Sequence, residues 1–242
     1  HMTNKNGIVI GPSGRGKSFL LNYLVSLIYQ DAHLVIIDKG GSYQNLCELL
    51  GGNYYDSAIP EQFKFSIFVC EQDRKGNYIP DEIQFNYVLS VITFIWKEGA
   101  KAKPEENNIL RELIEKYYDY VNKTKELPSV TNFDLYIKKE RKNFDVVYEK
   151  YIDFDSFHLM IKPFAHGREK DLLNSDENLD LTYQKLSVFD MKAIEKANPV
   201  KFNLMCLMIT FLNIKKIQHL PRSVFKSFII DEALSFLKGD IG

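Results

Sequence analysis

Two short stretches of this 242-residue chain carry side chains suited to phosphate and metal chemistry. The first is Gly11-Pro12-Ser13-Gly14-Arg15-Gly16-Lys17-Ser18, which spells G-x-x-x-x-G-K-S, with Phe19 directly after it. Glycines at 11, 14 and 16 let the backbone bend and bring its N–H groups to a triphosphate without side-chain clashes. Lys17 is placed to reach the β- and γ-phosphates, and the Ser18 hydroxyl to ligate Mg²⁺. The second stretch is Ser227-Phe228-Ile229-Ile230 followed by Asp231-Glu232. Here Asp231 would hold the metal, directly through water or through Ser18, while Glu232 would polarise the water that attacks the γ-phosphate. An apolar run ending in two acids is common by itself. Its pairing with the glycine-rich loop gives it meaning. Lys17 and Glu232 are therefore the candidate catalytic residues, and Ser18 and Asp231 the candidate metal ligands. The run Gly11 to Phe19, together with Asp38, forms the candidate ATP contact.

Those residues need particular elements around them. Gly7-Ile8-Val9-Ile10 reads as a short buried parallel strand leading into the loop, and Phe19 to Ile28 as an apolar helix leaving it. A helix there would present its unpaired N-terminal amides to the phosphates. His33 to Ile37 reads as a second buried strand, ending in the polar loop Asp38-Lys39-Gly40-Gly41-Ser42-Tyr43. Ligands of open α/β sheets lie along the carboxyl ends of the strands, so this loop should flank the phosphate site. Asp38 could then hold a water, a metal-bound water or Lys17, or it could serve only as a turn or cap residue. Further along, the patterning gives helices at 44–50 and 81–97. Strand-like pieces fall at 53–56 and 65–70, with further strands at 186–190 and 227–230 and a buried helix at 200–218.

Between about 100 and 183 the character becomes helical, with segments at 105–123, 129–142 and 144–164 and a polar passage from Gly167 to Thr182. Tyr117, Tyr120, Phe133, Tyr136, Tyr148, Tyr151 and Phe157 recur at helical spacing without an accompanying basic stripe, which predicts packing rather than base stacking. The expected fold class is α/β: a RecA-like P-loop core with a mostly parallel sheet. The core is expected at 3–99 and 184–242, with an inserted all-helical subdomain at 100–183. A net charge of −1 gives no global footprint for nucleic acid, so any DNA contact would have to be local. Cys47, Cys70 and Cys206 are isolated and show no metal-type pairing, as in a reducing compartment. The most apolar helix, 202–217, is too short and too polar to span a bilayer.

Four stretches, GPSGRGKSFL, IIDKGGSYQNLCELLGG, LSVFDMKAI and FIIDEALSFL, resemble the large cytoplasmic ATPases of type IV secretion and conjugation systems, in particular the TraG-type conjugation ATPases. The resemblance implies a motor that binds ATP and Mg²⁺, releases ADP and energises a conjugative channel. It also implies homo-oligomers, often hexamers, with secretion-channel components as partners and an inner-membrane location reached through them. It further implies strands beyond Gly242 that carry a sensor residue and an arginine. The strand following Asp231 would then sit between the loop's own strand and the Asp231 strand, leaving a gap at that place in this chain. Arg15 stands where a small residue is commoner, facing either solvent or a neighbouring subunit. Two other classes share these motifs: a DNA-translocating motor of the coupling-protein or HerA/FtsK type, and a nucleotide-gated docking module.

Overall fold

Four stretches of β-branched and apolar residues assemble into one all-parallel sheet. The computed structural model describes residues 7–10 and 15–231, apart from the side chain of Lys196. Its strands are β1 (Ala32–Asp38), β2 (Asn53–Asp56), β3 (Leu186–Asp190) and β4 (Phe225–Ile230), in the order β2-β3-β1-β4. The helices are α1 (Lys17–Ile28), α2 (Gln44–Leu49), α3 (Glu82–Lys97), α4 (Pro104–Thr124), α5 (Val130–Glu140), α6 (Tyr148–Tyr151), α7 (Phe154–Ala165), α8 (Lys170–Leu173), α9 (Lys192–Ala197) and α10 (Pro199–His219). Parallel strands require both faces covered, and the two central strands show it: β3 is buried throughout, and β1 everywhere except His33. The edge strands β2 and β4 are only partly buried.

By its contacts the chain divides into two compact units, 1–58 with 181–197 and 213–242, and 59–180 with 198–212. The boundary expected near residue 100 falls inside the second unit, and the one expected near 184 inside the first.

In the first unit Val25, Ala32, Leu34, Ile36, Tyr43, Cys47, Leu186 and Val188 form a closed apolar cluster. Each large aliphatic side chain fully buried in it contributes roughly 1.5–3 kcal/mol. Of α1 itself, only Val25 is fully buried, while Phe19, Leu20, Tyr23, Leu24 and Leu27 stand exposed. Gly7 to Ile10 do not form the expected strand: Ile8 and Ile10 are more than four-fifths exposed, and the four residues lie outside the sheet. The physical reason is the lack of a ladder. Residues 7–10 pair, among the described residues, with neither β4 nor β2, the two edge strands, and an unpaired strand leaves its backbone groups unsatisfied.

The second unit is helical, and its aromatics are its core. Tyr117, Phe133 and Phe157 are fully buried, with Tyr136 and Tyr148 nearly so, whereas Tyr151 faces solvent. Phe68, Tyr117 and Phe133 pack with ring centroids 5.0–5.2 Å apart. Tyr87 stacks on Phe211 at 3.6 Å. The expected strand at 65–70 does not form: the chain bends at Ile67 and Phe68, and among the described residues it pairs through an isolated bridge from Ser66 to Asn174. Side chains take the ladder's place. Asn178 accepts from the Ser66 N–H and donates to its carbonyl, Gln84 donates to the Ile67 carbonyl at 2.7 Å, and the Tyr118 hydroxyl donates to that of Phe68 at 2.9 Å. The helix expected over 144–164 is divided in two, because Asp153 caps α7 by accepting from the Asp155 and Ser156 N–H groups.

One buried carboxylate ties this helical unit together. Asp134 on α5 is almost inaccessible, yet it meets His158 Nδ1 at 2.7 Å, His166 Nε2 at 2.8 Å and Lys138 Nζ at 3.2 Å. Burial pushes its pKa up, but the hydrogen bonds from His158, His166 and Lys138 outweigh that and hold it below the usual carboxylate value. The ionised form is therefore favoured by folding. Its stabilisation is present above the ordinary carboxylate pKa and lost as pH falls through the lowered one. Asp134→Ala, which strands its partners, should cost about 3 kcal/mol at pH 7. Urea unfolding from pH 7 down to pH 3 should show the gap between wild type and variant narrowing toward the acid end. A gap independent of pH would contradict the assignment.

Candidate nucleotide site

The acids at the carboxyl end of the sheet stand in one row. Pairing brings Asp56 level with Asp190, and Asp190 level with Asp38. Ile230 pairs with Ile37, and the next residue, Asp231, donates its N–H to the Ile37 carbonyl at 2.9 Å, so it stands level with Asp38. Four neighbouring strands thus end on an aspartate at the same height. Asp38 is fully buried, with Asp190 and Asp231 nearly so.

Asp38 is occupied by its own loop. Its Oδ1 accepts from the Gly40 and Gly41 N–H groups at 3.0 and 3.1 Å, and its Oδ2 from the Tyr43 N–H at 3.0 Å. This is the turn-forming role that the sequence left open, and it sets the path from β1 to α2. Burial pushes the Asp38 pKa up; the backbone N–H groups of Tyr43 and Gly40 pull it down, and the carboxylates of Asp190 and Asp231 add to the rise. The net shift is upward, with burial as its largest cause. Gly41 sits at φ 71°, in the left-handed region, and a Cβ there would stand 3.4 Å from Asp190 Oδ2.

Asp190 is held as firmly. Its Oδ2 accepts from the Tyr54 hydroxyl at 2.6 Å and its Oδ1 from the Lys192 N–H at 2.8 Å. Beside it, Lys39 pairs with Glu195 at 2.6 Å. Sequence reasoning placed a strand at 186–190 but gave Asp190 and Tyr54 no part in the site. The signal was the equal height of the strand ends, legible only once the register is known.

The helix α1 begins at Lys17. Gly16 occupies the position before it at φ 84°, open to glycine and strained for other residues, and no side chain caps the helix. No acid lies in its first turn, so its N-terminal amides carry no built-in counter-charge. Lys17 and Ser18 are half-buried, while Arg15 and Phe19 are exposed. One turn past Ser18, Asn22 donates to the Ser42 carbonyl at 3.1 Å, tying α1 to the Asp38 loop. The candidate contacts Gly11, Pro12, Ser13 and Gly14, and the candidate base Glu232, lie outside the described residues.

The donor chemistry suits a magnesium nucleotide. Magnesium takes hard oxygen ligands, typically one or two from protein and the rest from phosphate and water. Among the described residues no three His, Cys, Asp or Glu groups gather into a metal cage. A hydroxyl at Ser18 and a carboxylate at Asp231 are the modest set that a phosphate-bound cation requires.

Comparison with known proteins follows the same line. The chain is 24% identical over 246 residues to protein TraC of Escherichia coli (strain K12), a match covering 97% of this chain and 26% of TraC. It therefore spans about a quarter of that relative's length. Its fold is similar to that of VirB4 of Thermoanaerobacter pseudethanolicus, with a TM-score of 0.65 at 19% identity, covering 92% of this chain and 59% of that one. The family description that matches is the TraG P-loop domain, over residues 1–240, and the chain belongs to that family.

Proposed function

We propose that the chain is the ATP-binding and ATP-hydrolysing part of a motor that serves a conjugative type IV secretion system. The observation that carries this is the hydrogen bond from Asn22, one turn past Ser18, to the Ser42 carbonyl, which ties the uncapped, glycine-led helix α1 to the loop of Asp38, the strand-end aspartate level with Asp231. Positive dipole on one side and negative charge on the other are what a metal-chelated triphosphate bridges. The family membership supports the same reading.

In this reading the glycine-rich loop from Gly11 and the first amides of α1 cradle the phosphates. Lys17 neutralises charge on the β- and γ-phosphoryl oxygens. Ser18 and Asp231 would hold Mg²⁺, which supplies electrostatic stabilisation of the transferred phosphoryl group. Glu232 takes a proton from the attacking water, whose oxygen forms the new bond to phosphorus as the bond to the ADP oxygen breaks. Asp38 shapes the site by closing its loop rather than by touching the nucleotide. The motor core comprises the sheet-bearing part of the chain, with the helical part inserted into it.

The wide apolar face of α1 is the kind of surface that a further element or a neighbouring subunit covers, which supports the oligomer reading. No helix among the described residues is long and apolar enough to cross a membrane, so membrane association would come through channel partners.

Lys17→Ala should weaken binding of a fluorescent ATP analogue by at least about 100-fold, as expected for loss of a charged phosphate contact. Its circular dichroism and unfolding midpoint should stay at wild-type values. Full retention of nucleotide binding would refute the assignment. Glu232→Gln should keep binding but lower turnover by about 100-fold or more in whatever assembly hydrolyses ATP, measured by phosphate release. Unchanged turnover would remove Glu232 from the chemistry.

A further inference from the structure

The amino-terminal end of the sheet carries the opposite charge from the aspartate row. His33 pairs with Lys226 on β4, and Leu34 pairs with Leu186 on β3. The Leu34 N–H also donates to the Lys185 carbonyl at 2.6 Å, so Lys185 stands level with His33. Near their starts, three neighbouring strands thus carry Lys185, His33 and Lys226 at one height, in a row roughly 10 Å across at ordinary strand spacing. Leu34 and Leu186 belong to the apolar cluster with Val25 of α1 and Cys47 of α2. The three basic side chains, one residue earlier, therefore project from the other face. Lys216 of α10, itself buried, donates to the carbonyl of Gln184, the residue before Lys185.

Little answers this charge. Between Glu195 and Asp231 the chain has no acidic residue. Lys185 and Lys226 donate to the carbonyls of Gln30 and Pro221 at 2.8 and 2.6 Å, and neither meets a carboxylate among the described residues. Arg222 is exposed in the turn before β4 and makes no ion pair among the described residues. Burial and then the Lys216 charge lower the His33 pKa, with Lys185 and Lys226 adding to the fall against a hydrogen bond to the Gln184 carbonyl. The helix dipole explains cations in the last turn of α10, Lys216 and His219, but not Lys185, Lys226 or Arg222. Two rings stand out beside these cations in the chain: Tyr183 is 88% exposed and Phe225 56%.

Cations that follow phosphates, with exposed rings on which bases stack, are how proteins hold single-stranded nucleic acid. With Lys216 buried and Lys226 half-buried, the row is recessed, which suits a flexible strand better than the plane of a bilayer. We propose that this end of the sheet binds single-stranded nucleic acid, with Lys185, Lys226 and Arg222 on its phosphates and Tyr183 stacked on a base. The surface lies roughly 17 Å along β1 from Asp38, so it is separate from the proposed nucleotide site and does not depend on that reading.

The test is fluorescence anisotropy of a labelled single DNA strand of about 20 nucleotides, titrated with the whole chain at several salt concentrations. Lys185→Glu combined with Lys226→Glu should weaken binding at least about 10-fold and flatten the slope of log affinity against log salt by about 0.7 for each cation removed. Tyr183→Ala should weaken binding about 5-fold or more and leave that slope unchanged. Arg222→Glu, in an exposed turn, repeats the charge test should the strand variant fail to fold, and should weaken binding about 3-fold or more. Binding of a fluorescent ATP analogue should match wild type in all three variants. Absence of strand binding at low salt, or equal affinities and slopes in wild type and the charge variants, would overturn the proposal. So would binding of phosphatidylglycerol vesicles or polyglutamate in place of the DNA strand, which would assign the surface to lipid or to an acidic protein.

Discussion

Four carboxylates at one height on the end of a buried parallel sheet are the constraint on which the rest of this molecule depends. Like charges in a poorly solvated row repel, and each must be neutralised or hydrogen-bonded to persist. Asp38, in the middle, is met by three backbone N–H groups of its own loop, and Asp190 by the Tyr54 hydroxyl and a backbone N–H. These contacts fix the loop between β1 and α2 and the start of α9, and they bring glycine to position 41. What remains is a row of strand-end carboxylates tied, through the Asn22–Ser42 contact, to a helix whose start no side chain caps. The fold thus creates the electrostatic demand that a metal-chelated triphosphate would meet.

The helical unit meets a related demand differently. Its segment at 65–70 has an isolated bridge in place of a strand ladder, and the side chains of Gln84, Tyr118 and Asn178 satisfy its backbone. Asp134, drawn into the interior, is matched by two histidines and a lysine. Gln84, Tyr118 and Asp134 in the helical unit and Asp190 in the sheet unit are tied to partners distant in the chain, so they specify which elements meet as well as stabilising them.

Much of this could be read from the amino acids. Runs such as Leu34 to Ile37 and Leu186 to Phe189 are too continuously apolar for a half-exposed strand, and both proved central in the parallel sheet. The helices followed from their spacing, and the aromatics at 117, 133 and 157 are core as their pattern implied. Two things were not legible. Residues 7–10 have strand-like side chains, but strand formation needs a partner edge, and that depends on sheet order rather than on local sequence. Likewise the levelling of Asp56, Asp190, Asp38 and Asp231 arises from register between segments far apart in the chain. Sequence could name Asp38 and Asp231 as site candidates. Only the structure shows that Asp38 accepts from three N–H groups of its own loop while Tyr54 holds Asp190 beside it.

The most direct test of this account is a crystal structure of the chain with Mg²⁺, ADP and beryllium fluoride. It predicts phosphates over the first turn of α1 and the cation held by Ser18 and Asp231, with Asp38 still accepting from the Gly40, Gly41 and Tyr43 N–H groups. A nucleotide seated away from α1, or a cation on Asp38 with the loop amides released, would contradict it.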